Sequence, residues 1–320
     1  GAGAWGTALA NAFARDDRAV SLIARDPEHA REMTAQMENA RRLPGVTLAA
    51  TVSPTADDTR IAAADLIVLA TPAQSVRETS RRIARHISPD VAVVSTAKGI
   101  DRASGRFPSA IIAEALPRSP VAALSGPSFA ADVSRGLPTA VTLACADEGV
   151  ARAIAEDLST TSLRLYHATD MCGVEIGGAA KNVLAIAAGV VVGKGLGESA
   201  RAALVARGFA ELQRFAAAMG GAPETLMGLS GLGDVVLSCS SAKSRNFAFG
   251  EDLGRGVAPT RAGGGQLAEG AYTADILVKL ATARSVSMPI AQTVAALIAG
   301  RVTVDDAVRE LMTRPVRAER

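Results

Sequence analysis

The sequence predicts an α/β doubly wound parallel sheet followed by an all-α second domain, and three features predict it. Short apolar runs alternate with helical patterns over residues 1–168, as strands and crossover helices do in a parallel sheet. A glycine-rich segment opens the chain, of the kind that forms a tight strand-to-helix turn in such folds. From residue 169 the texture becomes alanine-rich and helical, with no strand-like run. At 320 residues the chain is long for one hydrophobic core, so domains of residues 1–168 and 169–320 are expected.

Gly1-Ala-Gly3-Ala-Trp-Gly6 fits G-x-G-x-x-G and leads into a helix predicted over 7–15. A loop of this kind follows a buried strand, so a central strand of about half a dozen residues is expected ahead of Gly1. Apolar runs at 19–24, 66–70, 91–94 and 121–124 read as buried parallel strands. Helices are predicted over 27–38 and 73–86, and 139–145 and 163–167 read as further strands around a helix at 148–158. Beyond Asp170, breaks at 193–197, 228–233 and 257–265 divide the helical pattern into roughly six to eight helices. No flexible tract separates the halves, which places a site in the cleft between them.

Composition narrows the function classes. A net charge of +2 gives no case for a nucleic-acid or membrane-surface partner. Aromatics are only 3%, which leaves the core to Ala, Val, Leu and Ile. Cys145, Cys172 and Cys239 are scattered, as in a reducing compartment, and no signal peptide precedes the first motif, so a cytoplasmic location is expected. The longest apolar runs, such as 183–192, are too short to cross a bilayer. His29, His86 and His167 stand isolated on helix surfaces or strand ends, and no metal-ligand spacing is found. Asp16-Asp17, Asp57-Asp58 and Asp305-Asp306 read as solvated loop or helix-start pairs.

The glycine motif points to a dinucleotide. Gly1 makes the tight turn, Gly3 lets backbone amides approach a pyrophosphate, and Gly6 lets the helix pack closely on the sheet. Gly195-Leu-Gly197-Glu-Ser-Ala200 matches a relaxed form, but it sits among helices with no strand before it and is rejected. The second strand of an NAD site usually ends in an acid that grips the ribose 2′-hydroxyl. Here Arg25 occupies that place, with Asp26 one step on, and a guanidinium suits a 2′-phosphate. NADP(H) is therefore expected to be at least accepted beside NAD(H).

Two lysines stand apart from the surface population. Lys98 lies just past the 91–94 strand, at the strand's C-terminal end, where open α/β sheets bind ligands. Lys181 lies in an otherwise apolar helix, with Gly177, Gly178, Ala179 and Ala180 removing bulk beside it and Asn182 adjacent. Desolvation there would favour the neutral amine that a general base needs. In Ser125-Gly-Pro-Ser-Phe129, Gly126 and Ser128 offer an amide and a hydroxyl, but there is no nucleophile elbow. Ser244-Arg-Asn246 opens a helix and supplies a hydroxyl, a guanidinium and free amides, which together suit a phosphate.

In order along the chain, residues 1–10, Leu43-Pro-Gly45, 96–101, 125–132, 173–188, 201–208, 227–234, Ser244-Arg-Asn246 and Ala268-Glu-Gly270 resemble the NAD(P)-dependent glycerol-3-phosphate dehydrogenases. The resemblance covers essentially the whole chain. It implies a Rossmann-type first domain and a cytoplasmic enzyme, commonly dimeric, interconverting sn-glycerol 3-phosphate and dihydroxyacetone phosphate for glycerophospholipid synthesis. Carried over by motif, Lys181 looks like the proton acceptor, Lys98 and Asn182 polarise or orient the reacting oxygen, and Asp234 holds the lysine network. Substrate contacts correspond to Lys98, Gly126, Ser128, Lys181, Asp234, Ser244, Arg245 and Asn246, with Arg245 on the phosphate. Cofactor contacts correspond to Ala4, Trp5, Arg25, Lys98, Ala130, Arg245 and Glu269, beside Gly1, Gly3 and Gly6. The chain departs from the family at Ala4 (often Ser), at Arg42 (usually Tyr), and at Val192 and Ser199, where an aspartate and an asparagine are usual. The competing expectations are a related dehydrogenase of another small hydroxy acid and a non-catalytic NADP sensor. The phosphate-type Ser244-Arg-Asn246 cluster argues against the first, and the paired lysines with Asp234 argue against the second.

Overall fold

The computed structural model describes residues 1–14, 17–265 and 268–313, so Arg15 and Asp16 of the sequence expectations lie outside the described residues. Helix α1 (Ala4–Phe13) starts directly on the glycine loop, earlier than its periodicity indicates. β1 (Val20–Ile23) is followed by α2 (Pro27–Gln36), which Asp26 caps by accepting the Glu28 N–H. β2 (Val52–Thr55) then pairs in parallel with β1, Val20 opposite Val52. β2 was not expected: Val-Ser-Pro-Thr has neither an apolar run nor a clear alternation. Pro54 is tolerated because β2 is an edge strand, where a missing N–H costs no ladder bond.

A second sheet runs in spatial order β3 (Leu66–Leu69), β4 (Ala92–Ser95), β5 (Val121–Ser125), β6 (Thr139–Cys145) and β7 (Leu163–Ala168). A 3-10 turn at Ala73–Ser75 and helix α3 (Val76–Ile83) replace the single helix expected at 73–86. α4 (Pro108–Ala115) joins β4 to β5, and α6 (Glu148–Leu158) joins β6 to β7. β6 lies antiparallel to β5, with Ser125 opposite Thr142, so the sheet is mixed and not wholly parallel. The link between them carries only the five-residue helix α5 (Ala130–Ser134), so the chain doubles back instead of crossing the sheet face. Among the described residues the two sheets are not hydrogen-bonded to each other. Gly1 itself sits against the Ala70 carbonyl, just past β3.

The remainder is helical: α7 (Met171–Gly193), α8 (Glu198–Met219), α9 (Pro223–Met227), α10 (Asp234–Cys239), α11 (Arg245–Gly254), α12 (Glu269–Ala283), α13 (Pro289–Ile298) and α14 (Val304–Met312). α7 is the axis of this half. It is 23 residues long with mean hydropathy 1.6, so by length and composition alone it could cross a membrane, unlike the separate apolar runs within it. Glu175, Lys181 and Asn182 interrupt those runs without interrupting the helix. Of its most apolar window, 89% is buried inside the protein, so its apolar surface is satisfied by the helices around it. Leu184, Ile186, Leu212, Phe215 and Phe249 form the centre of that core. α11 crosses α7 at backbone distance, because a Cβ at Gly189 or Gly193 of α7 would collide with carbonyls of α11. Gly250 and Gly254 of α11 are equally tight against α7, so the N-terminus of α11 is set rigidly relative to Lys181.

Candidate active site

The glycine loop is built to leave amides free. A Cβ at Gly6 would collide with the Gly1 carbonyl, so the turn closes only with glycine there. Gly3 is the N-cap of α1, no side chain caps the helix, and nothing lies within 4 Å of where a Cβ on Gly3 would stand. Uncapped amides at a helix N-terminus beside open space fit a pyrophosphate. Ala4 and Trp5 form the first turn. Arg25 is exposed at the end of β1 and has no ion pair among the described residues. Asp26 is committed elsewhere, capping α2 and pairing with Arg41 at 3.0 Å. The acid that would disfavour a 2′-phosphate is thus turned away, while the base is free.

β4 and β5 deliver the next residues. Lys98, beyond the end of β4, donates from Nζ to the Gly126 carbonyl at 2.8 Å and to Asp234 Oδ2 at 2.7 Å. Gly126 has φ 146° and no room for a Cβ beside Val141, so the turn after β5 requires glycine. Its carbonyl faces the site, and Ser128 Oγ donates to that same oxygen at 3.0 Å. The turn thus presents the Gly126 carbonyl to the site as well as the amide and hydroxyl expected of it. Ala130 begins α5 close by.

α7 and α10 supply the charge pair. Asp234 is 1% exposed and begins α10 directly after a π-helical turn at Leu229–Gly233, a distortion common at functional sites. Its Oδ1 lies 3.0 Å from Lys181 Nζ while Oδ2 takes Lys98, so one carboxylate is shared by two buried amines. Burial alone would raise its pKa, but Lys98 and Lys181 outweigh burial and hold the carboxyl below its ordinary value. Burial pushes the Lys98 amine down, and Lys181 adds to this, against the opposing pull of Asp234. The apolar pattern around Lys181 gives no sign of this counter-charge, which only the family resemblance assigns to Asp234. Lys181 also donates to Ser238 Oγ at 2.7 Å, and Ser238 in turn donates to Asp234 Oδ1 at 3.3 Å. Ser238 was missed in the sequence; its only signal is the i+4 spacing from Asp234 on α10.

A second network carries Asn182 and Asn246. Asn182 Nδ2 donates to the Lys98 carbonyl at 2.9 Å, and its Oδ1 accepts from Asn246 Nδ2 at 2.9 Å. Asn246 Oδ1 accepts the Gly270 N–H at 2.8 Å. Asn182 therefore holds the Lys98 backbone in place and has its oxygen already engaged. At the N-terminus of α11, Ser244 Oγ caps the Phe247 N–H at 3.4 Å, and Arg245 is exposed with no ion pair among the described residues. Glu269 reaches back across the cleft to accept the Ala73 N–H at 3.2 Å. Burial raises its pKa, opposed by that N–H and by the nearby Arg245.

The two halves of the chain match two family models. One, described as the NAD-dependent glycerol-3-phosphate dehydrogenase N-terminus, matches residues 1–151. The other, described as the C-terminus of the same enzyme, matches residues 170–309. A relative from Methylobacterium radiotolerans named glycerol-3-phosphate dehydrogenase [NAD(P)+] is 56% identical, over all of this chain and 96% of its own length. One of the same name from Azorhizobium caulinodans is 55% identical, over 100% and 97%. The crystal structure of glycerol-3-phosphate dehydrogenase from Coxiella burnetii superposes with a TM-score of 0.93 at 37% identity, covering 98% of this chain and 97% of that one. On these matches, and with a site assembled from both halves, the chain belongs to the NAD-dependent glycerol-3-phosphate dehydrogenase family.

Proposed function

We propose that the chain interconverts sn-glycerol 3-phosphate and dihydroxyacetone phosphate with NADP(H) or NAD(H). The observation that carries the reading is the Lys98–Asp234–Lys181 cluster, buried where the end of β4 meets α7, with the unpaired Arg245 on the adjoining helix. Gly1, Gly3, Ala4, Trp5 and Gly6 hold the cofactor's pyrophosphate, Arg25 reads a 2′-phosphate where present, and Ala130 and Glu269 border the cofactor from the two halves. A nicotinamide held there would supply the hydride chemistry at C2, donating to the ketone or accepting from the alcohol.

Lys181 moves the proton at the C2 oxygen, giving it up in ketone reduction and taking it in alcohol oxidation. Lys98 polarises that oxygen from the other side of Asp234. The carboxylate keeps both amines facing one point and offsets their mutual repulsion. Ser238 orients Lys181, and Asn182 holds Lys98 through its backbone. Arg245, with the α11 N-terminus, takes the substrate phosphate, while Ser244, Asn246, Gly126 and Ser128 shape the surrounding pocket.

The reading divides the chain into a cofactor domain of residues 1–168 and a catalytic domain of residues 169–320. Support comes from the ends of β7 at Ala168 and the start of α7 at Met171. It extends to glycerophospholipid precursor supply, a cytoplasmic location consistent with three free cysteines, and a homodimer. The dimer is supported by exposed Met227 and Val236 around an apolar surface cavity between α8 and α10, and light scattering tests it.

The catalytic test is NADPH and NADH oxidation with dihydroxyacetone phosphate against dihydroxyacetone. Turnover with the phosphate ester alone is expected, and equal use of both substrates would remove the phosphate site. Lys181→Ala is expected to lower kcat by about 10²–10⁴-fold with cofactor affinity retained.

A further inference from the structure

We propose that Asn39 and His29 are positioning residues for the dinucleotide loop, acting through a buried relay that aims two consecutive loop amides at the cofactor. The proposal rests on the cofactor reading above. Neither residue belongs to the glycine motif, and His29 had been expected on a helix surface. In the structure Asn39 is fully buried and His29 is 8% exposed.

Asn39 Nδ2 donates to the Ala2 carbonyl at 3.1 Å and to Thr7 Oγ1 at 2.7 Å. Thr7 Oγ1 donates in turn to the Gly3 carbonyl at 2.9 Å. With both Nδ2 hydrogens placed, Asn39 Oδ1 is the acceptor toward His29 Nε2, 2.8 Å away, and the imidazole is the donor. The bonds therefore run in one direction, from the imidazole to two carbonyls of the loop.

A trans peptide holds its C=O and the following N–H on opposite sides. Pinning the Ala2 carbonyl inward on Asn39 turns the Gly3 N–H outward. Pinning the Gly3 carbonyl inward on Thr7, by its hydroxyl and by its N–H at 3.0 Å, turns the Ala4 N–H outward. Both amides then face the open space beside Gly3, an arrangement that binds phosphate oxygens. His29 lies in the first turn of α2, just past Arg25 and Asp26. The same relay thus ties the pyrophosphate loop to the strand end that carries Arg25.

Trp5, the sole tryptophan, stands in the loop's first helical turn and reports binding by its fluorescence. The full chain is titrated with NADPH and with NADH, as wild type and as Asn39→Ala, His29→Leu and His29→Gln. Asn39→Ala is expected to weaken both cofactors about tenfold or more, because the pyrophosphate is common to them. kcat at saturating cofactor and KM for dihydroxyacetone phosphate are expected to stay within about threefold. His29→Gln, which keeps a donor toward Asn39, stays near wild type, and His29→Leu does not. A residue that only stabilised the fold would lower kcat and the melting temperature without this split. Wild-type affinity in Asn39→Ala overturns the proposal and leaves the cofactor reading intact, whereas a wild-type chain that binds neither cofactor overturns that reading itself. Should Asn39→Ala fail to fold, the His29 pair decides, and equal affinities in the two variants overturn the relay.

Discussion

Asp234→Asn keeps the shape of the side chain and removes the charge that two buried amines share. At 2.7 Å and 3.0 Å each contact is worth roughly 5–6 kcal/mol of attraction in an effective dielectric of about 20. Desolvation of the three groups offsets much of this, so the informative quantity is the cost of removing one partner, about 3–5 kcal/mol for a buried pair. The variant relieves that cost by losing a proton from an amine or by parting Lys98 from Lys181. Either response disables the proton donor Lys181 or the polarising amine Lys98, and ketone reduction needs both. The expected result is a fall in kcat of about 10²–10⁴-fold with dihydroxyacetone phosphate. KM for NADPH is expected to hold within about threefold, because Asp234 stands apart from the glycine loop. Ser238→Ala, which removes one hydrogen bond to Lys181, serves as the milder comparison at about tenfold. Steady-state NADPH oxidation measures both. A kcat for Asp234→Asn within about threefold of wild type would refute the argument that the shared carboxylate organises the two lysines.

Arg25→Ala should raise KM for NADPH about tenfold and leave KM for NADH nearly unchanged, since only the former carries a 2′-phosphate; equal shifts would show that the arginine reads something else. Arg245→Leu should raise KM for dihydroxyacetone phosphate about 10–100-fold and leave any residual turnover of dihydroxyacetone unaltered, and a preserved preference for the phosphate ester would count against it. Glu175 on α7 accepts from the Ser109 N–H and hydroxyl at the start of α4, and burial pushes its carboxyl up from 4.5 to about 7. A raised acid binds its proton more tightly folded than unfolded, so its contribution is intact below 4.5 and is lost as pH rises through about 7. The loss is about 3 kcal/mol, and Glu175→Gln should flatten it in denaturant titrations between pH 5 and 8 at about that size. An unchanged pH slope in the variant would assign the dependence to another group.

The strand at 139–145 and the helix at 148–158 emerged at their predicted bounds, because apolar periodicity and the Asp147 cap are local properties. β2 did not emerge, since a four-residue edge strand containing a proline owes its pairing to β1 rather than to its own pattern. Nor did the antiparallel direction of β6, because direction in a sheet is settled by what the chain does between strands. The same division runs through the site. Residue types and spacing were enough to single out Lys98, Lys181, Arg25 and the Ser244-Arg-Asn246 turn, since a lysine in an apolar helix or a glycine loop before a helix is unusual on local grounds alone. What each side chain touches was a matter of tertiary structure. Asp234 bridges two lysines that stand 53 and 136 positions away from it in the chain (234 − 181 and 234 − 98), and Ser238 completes the cluster. Asn182 and Asn246 spend their amides on one another and on two backbones, and His29 supports a loop from another helix. Hydrogen bonds and ion pairs act over about 3 Å, and that distance is set by how helices and strands pack, not by where residues fall in sequence. The opening glycine loop shows both sides at once: its glycines identify a dinucleotide site from sequence, but the direction of its amides depends on Asn39, Thr7 and His29, which only the folded chain brings together.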